Sequence, residues 1–319
     1  VEKRLGDLFC YCLIRPIKLP SGDANKFYFQ AKYFVNLRAM IKNTYHAGIC
    51  LFLAAALLIG CNKEMQQMRK YVKTGTRAEK EEAAYYFYKT EDYERAEFLF
   101  EELWAVNKTT EKGEKLLYHY AYSKYHQGLY TMSAYYFEQL VKLYPYGEYT
   151  EEAAFQKAYC YYIDSDPHYL DQRTTGRAIN EFRIFMSGYP DSKKVQESQE
   201  YIMKMRERLA KKAFENAKLY FKIENYKGAK TAFQVMVQEY PESRYREEAQ
   251  FLHLQSAYEL ANVSVQTKKK DRYLDAVDLY ERFVDKYPYS TFLKDAENLY
   301  ERTLKNIKKL EEAEEKTNS

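Results

Sequence analysis

The chain is poor in residues that break or staple a fold: among 319 residues there are 7 prolines, 11 glycines, 5 cysteines and a single tryptophan, Trp104. With so few helix breakers, long segments run uninterrupted. Cys10, Cys12 and Cys50 lie near the start, Cys61 follows an apolar run and Cys160 stands alone. A disulfide framework within one chain is therefore excluded, and Cys160, among aromatics, reads as a small buried apolar residue. Catalytic signatures are also missing. No Gly-x-Ser-x-Gly elbow, Walker loop, Gly-x-Gly-x-x-Gly or His-Glu-x-x-His occurs. The histidines (His46, His119, His126, His168, His253) stand far apart, and His119 and His126 are too distant along their helix to share a metal. Asp164, Asp166 and Asp171 lack the glycine and terminal glutamate of a calcium loop, and the acidic pairs Glu81-Glu82, Glu151-Glu152 and Glu247-Glu248 fit helix starts. The expectation is no catalysis, no metal and no cofactor.

A long apolar run is missing too. Ala47 to Ile59 is thirteen residues without a charge, whereas a spanning helix needs roughly 20. Lys42 and His46 precede it and Leu58-Ile59-Gly60-Cys61 closes it. That is the order of a secretory signal: basic lead, short apolar core, small residues at the cut. The closing four residues look like a lipobox, with cleavage before Cys61 freeing its thiol for a lipid; the competing reading is a core helix with a buried cysteine. Residues 1–60 are then a leader, with 40–60 the signal peptide from Met40 and 1–39 upstream sequence that does not belong to it. The leader holds eight Lys/Arg and three Asp/Glu, which leaves 42 basic and 43 acidic side chains in the other 259 residues. A near-neutral body argues against a nucleic-acid partner.

What is abundant is tyrosine, in a periodic chain. Tyr-Pro recurs at Tyr144-Pro145, Tyr189-Pro190, Tyr240-Pro241 and Tyr287-Pro288. Twelve residues before each proline stands Ser133, Ala178, Ala229 or Ala276, and four residues after each of those comes Phe137, Phe182, Phe233 or Tyr280. An earlier unit has Tyr93, Ala96 and Phe100 without the proline. This grammar matches the tetratricopeptide repeat, two antiparallel helices per unit. The small residue lets helices A and B approach, the aromatic fills the gap between units, and proline stops helix B. Ser192, Ser243 and Ser290 are placed to cap the next helix. The expected fold is all-α: a solenoid of about five helix pairs over residues 77–310. A polar tether over 61–76, reaching at most about 50 Å when extended, precedes it, and a charged tail over 311–319 should fray. Two insertions follow A-helices, Asp164 to Thr175 and Asn262 to Arg272, and Lys268-Lys269-Lys270 reads as a solvated loop tip.

On the A-helices, counting from Ala84, Ala121 and Ala158, the groove face would show Tyr85, Tyr88, Tyr118, Tyr122, Tyr125, Phe155, Tyr159 and Tyr162. Tyrosine offers flat apolar area with a polar tip, a common peptide-binding surface. A tyrosine-rich chain also uses such residues in ordinary packing, and the pattern admits both uses. In unit four the same face carries Lys211, Phe214, Lys218, Phe221 and Lys222, which would suit an acidic or carboxylate-bearing partner.

Tyr144-Pro145 through Glu151-Glu152-Ala153-Ala154-Phe155, Asp171-Gln172-x-x-Thr175 with Ala178, Phe182, Tyr189-Pro190-Asp191-Ser192 and Arg208-Leu209-Ala210 carry a further likeness. With the lipobox and five repeats, the chain resembles the BamD family from Cys61 to about Leu310. That family is the lipoprotein subunit of the machinery inserting β-barrel proteins into the bacterial outer membrane. This chain departs in unit one, where Lys108 holds the proline position and Val106 to Gly113 reads as a looser turn. The resemblance implies a non-catalytic lipoprotein on the periplasmic face of the outer membrane, lipidated at Cys61. Its C-terminal half would bind the periplasmic domains of a BamA-like barrel subunit, with Arg206, Arg208 and Lys212 as contacts. Its N-terminal repeats, through Tyr118, Tyr122 and Tyr125, would receive unfolded outer-membrane proteins, whose signal ends in an aromatic residue and a free carboxylate. Rival readings are a cell-envelope or division cofactor, for which sustained heptads are missing, and a glycan-binding surface lipoprotein, for which exposed tryptophans are missing.

Overall fold

The structure, a computed structural model, describes residues 63–318, with side chains to Glu315. The leader, its cleavage join and Cys61 lie outside the described residues. The chain divides into two units, Val1–Lys70 and Tyr71–Ser319. Residues 63–74, within the segment read as a tether, are helical, so its reach is shorter than the extended maximum. Lys63 to Tyr71 are all good or fair helix formers, with no glycine or proline among them. A helix rises about 1.5 Å per residue, less than half the extended reach.

The second unit builds five helix pairs and a closing helix. The pairs are α1 (Arg77–Lys89) with α2 (Tyr93–Asn107), α3 (Glu111–His126) with α4 (Tyr130–Leu143), and α5 (Thr150–Ile163) with α6 (Arg173–Gly188). They continue with α7 (Val195–Lys222) and α8 (Tyr226–Glu239), then α9 (Arg246–Asn262) and α10 (Gln266–Lys286). The closing helix α11 (Leu293–Asn318) packs on both α10 and α9. Among the described residues there is no strand. The fold is an all-α tetratricopeptide-type solenoid, each helix packed on the one before and the one after.

The repeated residues do the packing their spacing predicts. Ala84, Ala96, Ala121, Ser133, Ala158, Ala178, Ala217, Ala229 and Ala276 are all buried where paired helices approach, and Phe100, Phe137, Phe182 and Phe233 are buried beside them. Unit five differs: Tyr280 is only half-buried and stacks on Tyr300 of α11, with ring centroids 4.3 Å apart, while Phe283 takes the buried place. Before each proline, Tyr144, Tyr189, Tyr240 and Tyr287 adopt one geometry, φ −129°, −132°, −127° and −130°. The proline ring excludes helical backbone from the residue ahead of it, so the tyrosine ends the helix and the proline lies beyond it.

Several local expectations change. The serines after three Tyr-Pro pairs are not helix N-caps. Each Oγ accepts the N–H two residues on, in Lys194, Tyr245 and Phe292, a local turn competing with the cap. Ser192 and Ser290 also donate to Glu151 and Glu247 of the preceding unit at 2.6 Å. The turn at Val106 to Gly113 is tight: Thr110 Oγ1 accepts the Gly113 N–H, and Tyr144 donates its hydroxyl to the Lys108 carbonyl at 2.7 Å. Lys268-Lys269-Lys270 is not a loop tip but the first turns of α10. Lys270 Nζ lies 3.1 Å from Glu311 and 3.7 Å from Glu314, and α11 runs on to Asn318 where a fraying tail was expected. The Lys/Glu/Ala-rich sequence there has high helix propensity.

Candidate protein-binding groove

The A-helix tyrosines form one connected wall. On α1, Tyr85 and Tyr88 meet Phe100 of α2 edge-on, and both touch His119 of α3, at 5.0 and 5.1 Å between centroids. On α3, Tyr118 packs on Tyr122 at 4.7 Å and on Tyr149, ahead of α5, at 4.4 Å. Tyr125 reaches Tyr159 of α5 in a stacked pair at 6.4 Å. Tyr159 and Tyr162 then close on Tyr201 of α7, at 5.3 and 4.5 Å. The seven tyrosines singled out by spacing are all half-buried, so each combines packing with some exposure. Phe155 is an exception: it is 3 % exposed and packs against Phe182 and Phe185, beneath the wall.

His119, His126, Tyr149 and Tyr201 join this wall without having been singled out. His126 stacks on Tyr93 at 4.4 Å. His119 stands three residues before Tyr122 and His126 four after it, the helical spacing that marked the tyrosines. For Tyr201 the signal was the 51-residue gap between Tyr189 and Tyr240, which accommodates a 28-residue α7.

At neutral pH the wall is uncharged. Burial pushes the Tyr85 and Tyr125 hydroxyls up to about 12 and those of Tyr88 and Tyr122 higher still. Burial also holds His119 and His126 below the ordinary histidine value, because charging a ring there forfeits water. One carboxylate organises the middle. Glu152 accepts the Tyr122 hydroxyl and the Gln156 amide, each at 3.0 Å, and the ammonium of Lys194, the residue ahead of α7. The surface thus offers aromatic edges and phenol donors, a recognition surface rather than a reactive one. Cys160 is buried against Ser133, its thiol raised to about 12 by burial, which leaves it inert.

The basic end resolves differently. Phe214 is buried, stacked on Tyr245 at 5.1 Å. Glu215, Lys218, Leu219, Phe221, Lys222 and Leu252 line an open depression of about 590 Å³ between α7 and α9. Lys218 also faces Glu248 at 3.6 Å.

Arg206, Arg208 and Lys212, expected as one partner-facing set, are engaged within the chain. Arg208 Nη1 donates to Ser165 Oγ at 2.6 Å and to the Asp166 carbonyl, and Lys212 Nζ donates to the Leu170 carbonyl. Gln172 Nε2 gathers the carbonyls of Pro167 and Leu170 while Thr175 holds its Oε1 at 2.9 Å. The Asp-Gln-x-x-Thr segment and Arg208 are therefore a latch folding the insertion onto α7. Arg206 points elsewhere, to Glu242 and the Glu239 carbonyl of unit four. Two residues apart on a helix, Arg206 and Arg208 cannot share a face.

Among the described residues no helix is long and apolar enough to cross a membrane, and no group of three or more His, Cys, Asp or Glu is placed to hold a metal. Against known families, residues 163–273 match a model described as outer membrane lipoprotein, and residues 115–145 match a tetratricopeptide repeat. The chain is thus of tetratricopeptide type, and the outer-membrane-lipoprotein model matches about a third of it. Those 111 residues begin at the latch and end in α10. No curated protein sequence matches. Similar solved structures include the TPR2AB-domain:pHSP90 complex of yeast Sti1, with 13 % identity over 71 % of this chain and 98 % of that one at TM-score 0.33. Another is a DHF58 filament, with 14 % identity over 79 % and 94 % at TM-score 0.14.

Proposed function

We propose that the protein is a non-catalytic, lipid-anchored scaffold of the outer-membrane β-barrel assembly machinery. Cys61 carries the lipid, the body faces the periplasm, and the chain holds both a BamA-like barrel subunit and unfolded outer-membrane proteins. The observation that carries this reading is the continuous aromatic wall from Tyr85 to Tyr201 on a chain whose residues 163–273 match an outer-membrane-lipoprotein model. An extended segment ending in an aromatic ring finds edge-to-face partners there, each worth about 0.5–1.5 kcal/mol. Its terminal carboxylate finds Tyr hydroxyls and, farther along, Lys218 and Lys222. Tyr118, Tyr122 and Tyr125 are the central contacts. The engaged donors of Arg208 and Lys212 make them supports for the insertion, whose exposed Tyr169 and Leu170 offer the barrel subunit an apolar surface.

The test is recovery of partners from detergent-solubilised envelopes with the tagged full-length chain. A β-barrel protein with periplasmic domains is expected, and Tyr122→Ala with Tyr125→Ala should cut crosslinking to unfolded-barrel peptides at least fivefold. Recovery of glycan alone sinks the scaffold reading, and unchanged crosslinking removes the groove assignment.

A further inference from the structure

Three buried side-chain atoms without a hydrogen-bond partner belong to residues that line one cavity. They are Arg246 Nε, Gln250 Oε1 and His253 Nε2, on one face of α9 at successive turns. The cavity, about 330 Å³, lies between α8, α9 and α10, with Gln238 contributed by α8 and Arg282 and Lys286 by α10. It is separate from the aromatic wall, which is built from A-helices of other units.

Its charge is of one sign. Arg246, Arg282 and Lys286 line it and no carboxylate does. Arg246 gives Nη1 to the Pro241 carbonyl at 3.0 Å, and Arg282 pairs with surface Asp278 at 2.6 Å. The Lys286 ammonium is held below its ordinary value by desolvation and by the neighbouring Arg246 charge, the mark of a positive field not fully neutralised. His253 is only 9 % exposed. Burial lowers it to about 4, Lys230 and Arg282 pull the same way, and Asp275 opposes them. Its ring is therefore neutral at pH 7, with one N–H and one acceptor nitrogen.

The orphaned atoms specify an occupant. The Arg246 N–H needs an acceptor, and the Gln250 carbonyl needs a donor. An apolar filler satisfies neither, and a bare anion satisfies only the first. We infer that this cavity binds a compact oxyanion that also carries a hydrogen-bond donor, a hydrogen phosphate group or a hydroxy-carboxylate. The cations and the Arg246 N–H take the oxyanion, Gln250 takes the O–H, and His253 Nε2 completes the shell. Charge-assisted bonds of this kind are the strong ones.

Titration of the intact chain with inorganic phosphate, and separately with malate, at constant ionic strength tests this. The readout is the imidazole ¹⁵N resonances of His253. A saturable shift with either anion is expected, weakened at least tenfold by Arg246→Gln. Lys286→Gln, at an exposed position, should weaken it severalfold if Arg246→Gln fails to fold, and Tyr122→Ala should leave it unchanged. A response reproduced by chloride, or linear without saturation, overturns the proposal and leaves a merely hydrated cavity. Saturation by a glutamate-rich peptide but by neither small anion overturns it in favour of a protein-docking face.

Discussion

At the residue scale, long polar side chains are used for reach. Arg208, Lys194 and Tyr122 each bind a group more than 25 positions away in sequence, and Glu114 shows how a small residue makes room. Its carboxylate accepts the Tyr149 N–H at 2.8 Å and occupies the space a side chain at Gly147 would need. Buried histidine brings a pH dependence whose sign follows from its depressed value. Above about pH 6.5, His253 is neutral in both folded and unfolded chains and contributes nothing. Below that, the unfolded chain takes up a proton that the folded one refuses until about pH 4, so stability falls with pH. The loss through His253 is about 2 kcal/mol at pH 5. Denaturant melts at pH 7 and pH 5 should show that difference shrink by this amount in His253→Gln. His119 and His126, depressed in the same direction, continue to contribute in that variant.

At the scale of the element, three of the five turns between paired helices have one geometry with different residues. Gly128 sits at φ 79°, while Glu91 and Glu224 sit at φ 61°. In each turn the next N–H reaches back five residues, from Asp92 to Phe87, Leu129 to Lys124 and Asn225 to Tyr220, at 2.8–3.0 Å. This closure favours glycine, and glutamate there carries left-handed strain. Glu224→Gly is expected to raise stability by about 0.5–1 kcal/mol, and Gly128→Ala to lower it by about 1 kcal/mol, both read from thermal or urea melts. The Tyr-Pro stops, the buried small residues and the Phe positions were legible in sequence because each is a steric rule acting over a few residues. The helical conformation of residues 63–74 and of the end of α11 was not legible in the apolar pattern, because polar, charged residues without glycine or proline are also good helix formers. Tyr280 was misread for another reason. Its spacing was right, but α11 offered Tyr300 as a stacking partner that the repeat pattern does not contain.

At the scale of the whole described unit, each helix pair leans on its neighbour, so stability is a sum of local and adjacent-unit terms. α11 closes the C-terminal end: Ala296, Leu299 and Ile307 bury against Phe251, Tyr258, Tyr273 and Phe283. Deleting residues 293–319 should therefore strip amide-exchange protection from α9 and α10 while α1 to α6 keep theirs. Uniform loss across all units would contradict repeat-by-repeat stability. The candidate wall was partly legible for the same reason as the fold. Seven tyrosines recur at fixed offsets on A-helices, whereas Tyr201 entered only through the length of α7. The intrachain roles of Arg208 and Lys212 were not legible, because the loop they hold lies about forty residues earlier in the chain.

The sequence by itself determined the repeat, its register and its aromatic face, because alanine, phenylalanine and pre-proline tyrosine act through contacts within a turn or between adjacent helices. Only the tertiary structure decided that the insertion is latched to α7 and that Arg246, Gln250 and His253 border one polar cavity. Those outcomes depend on which long side chains meet across unit boundaries, a distance that no local spacing rule encodes.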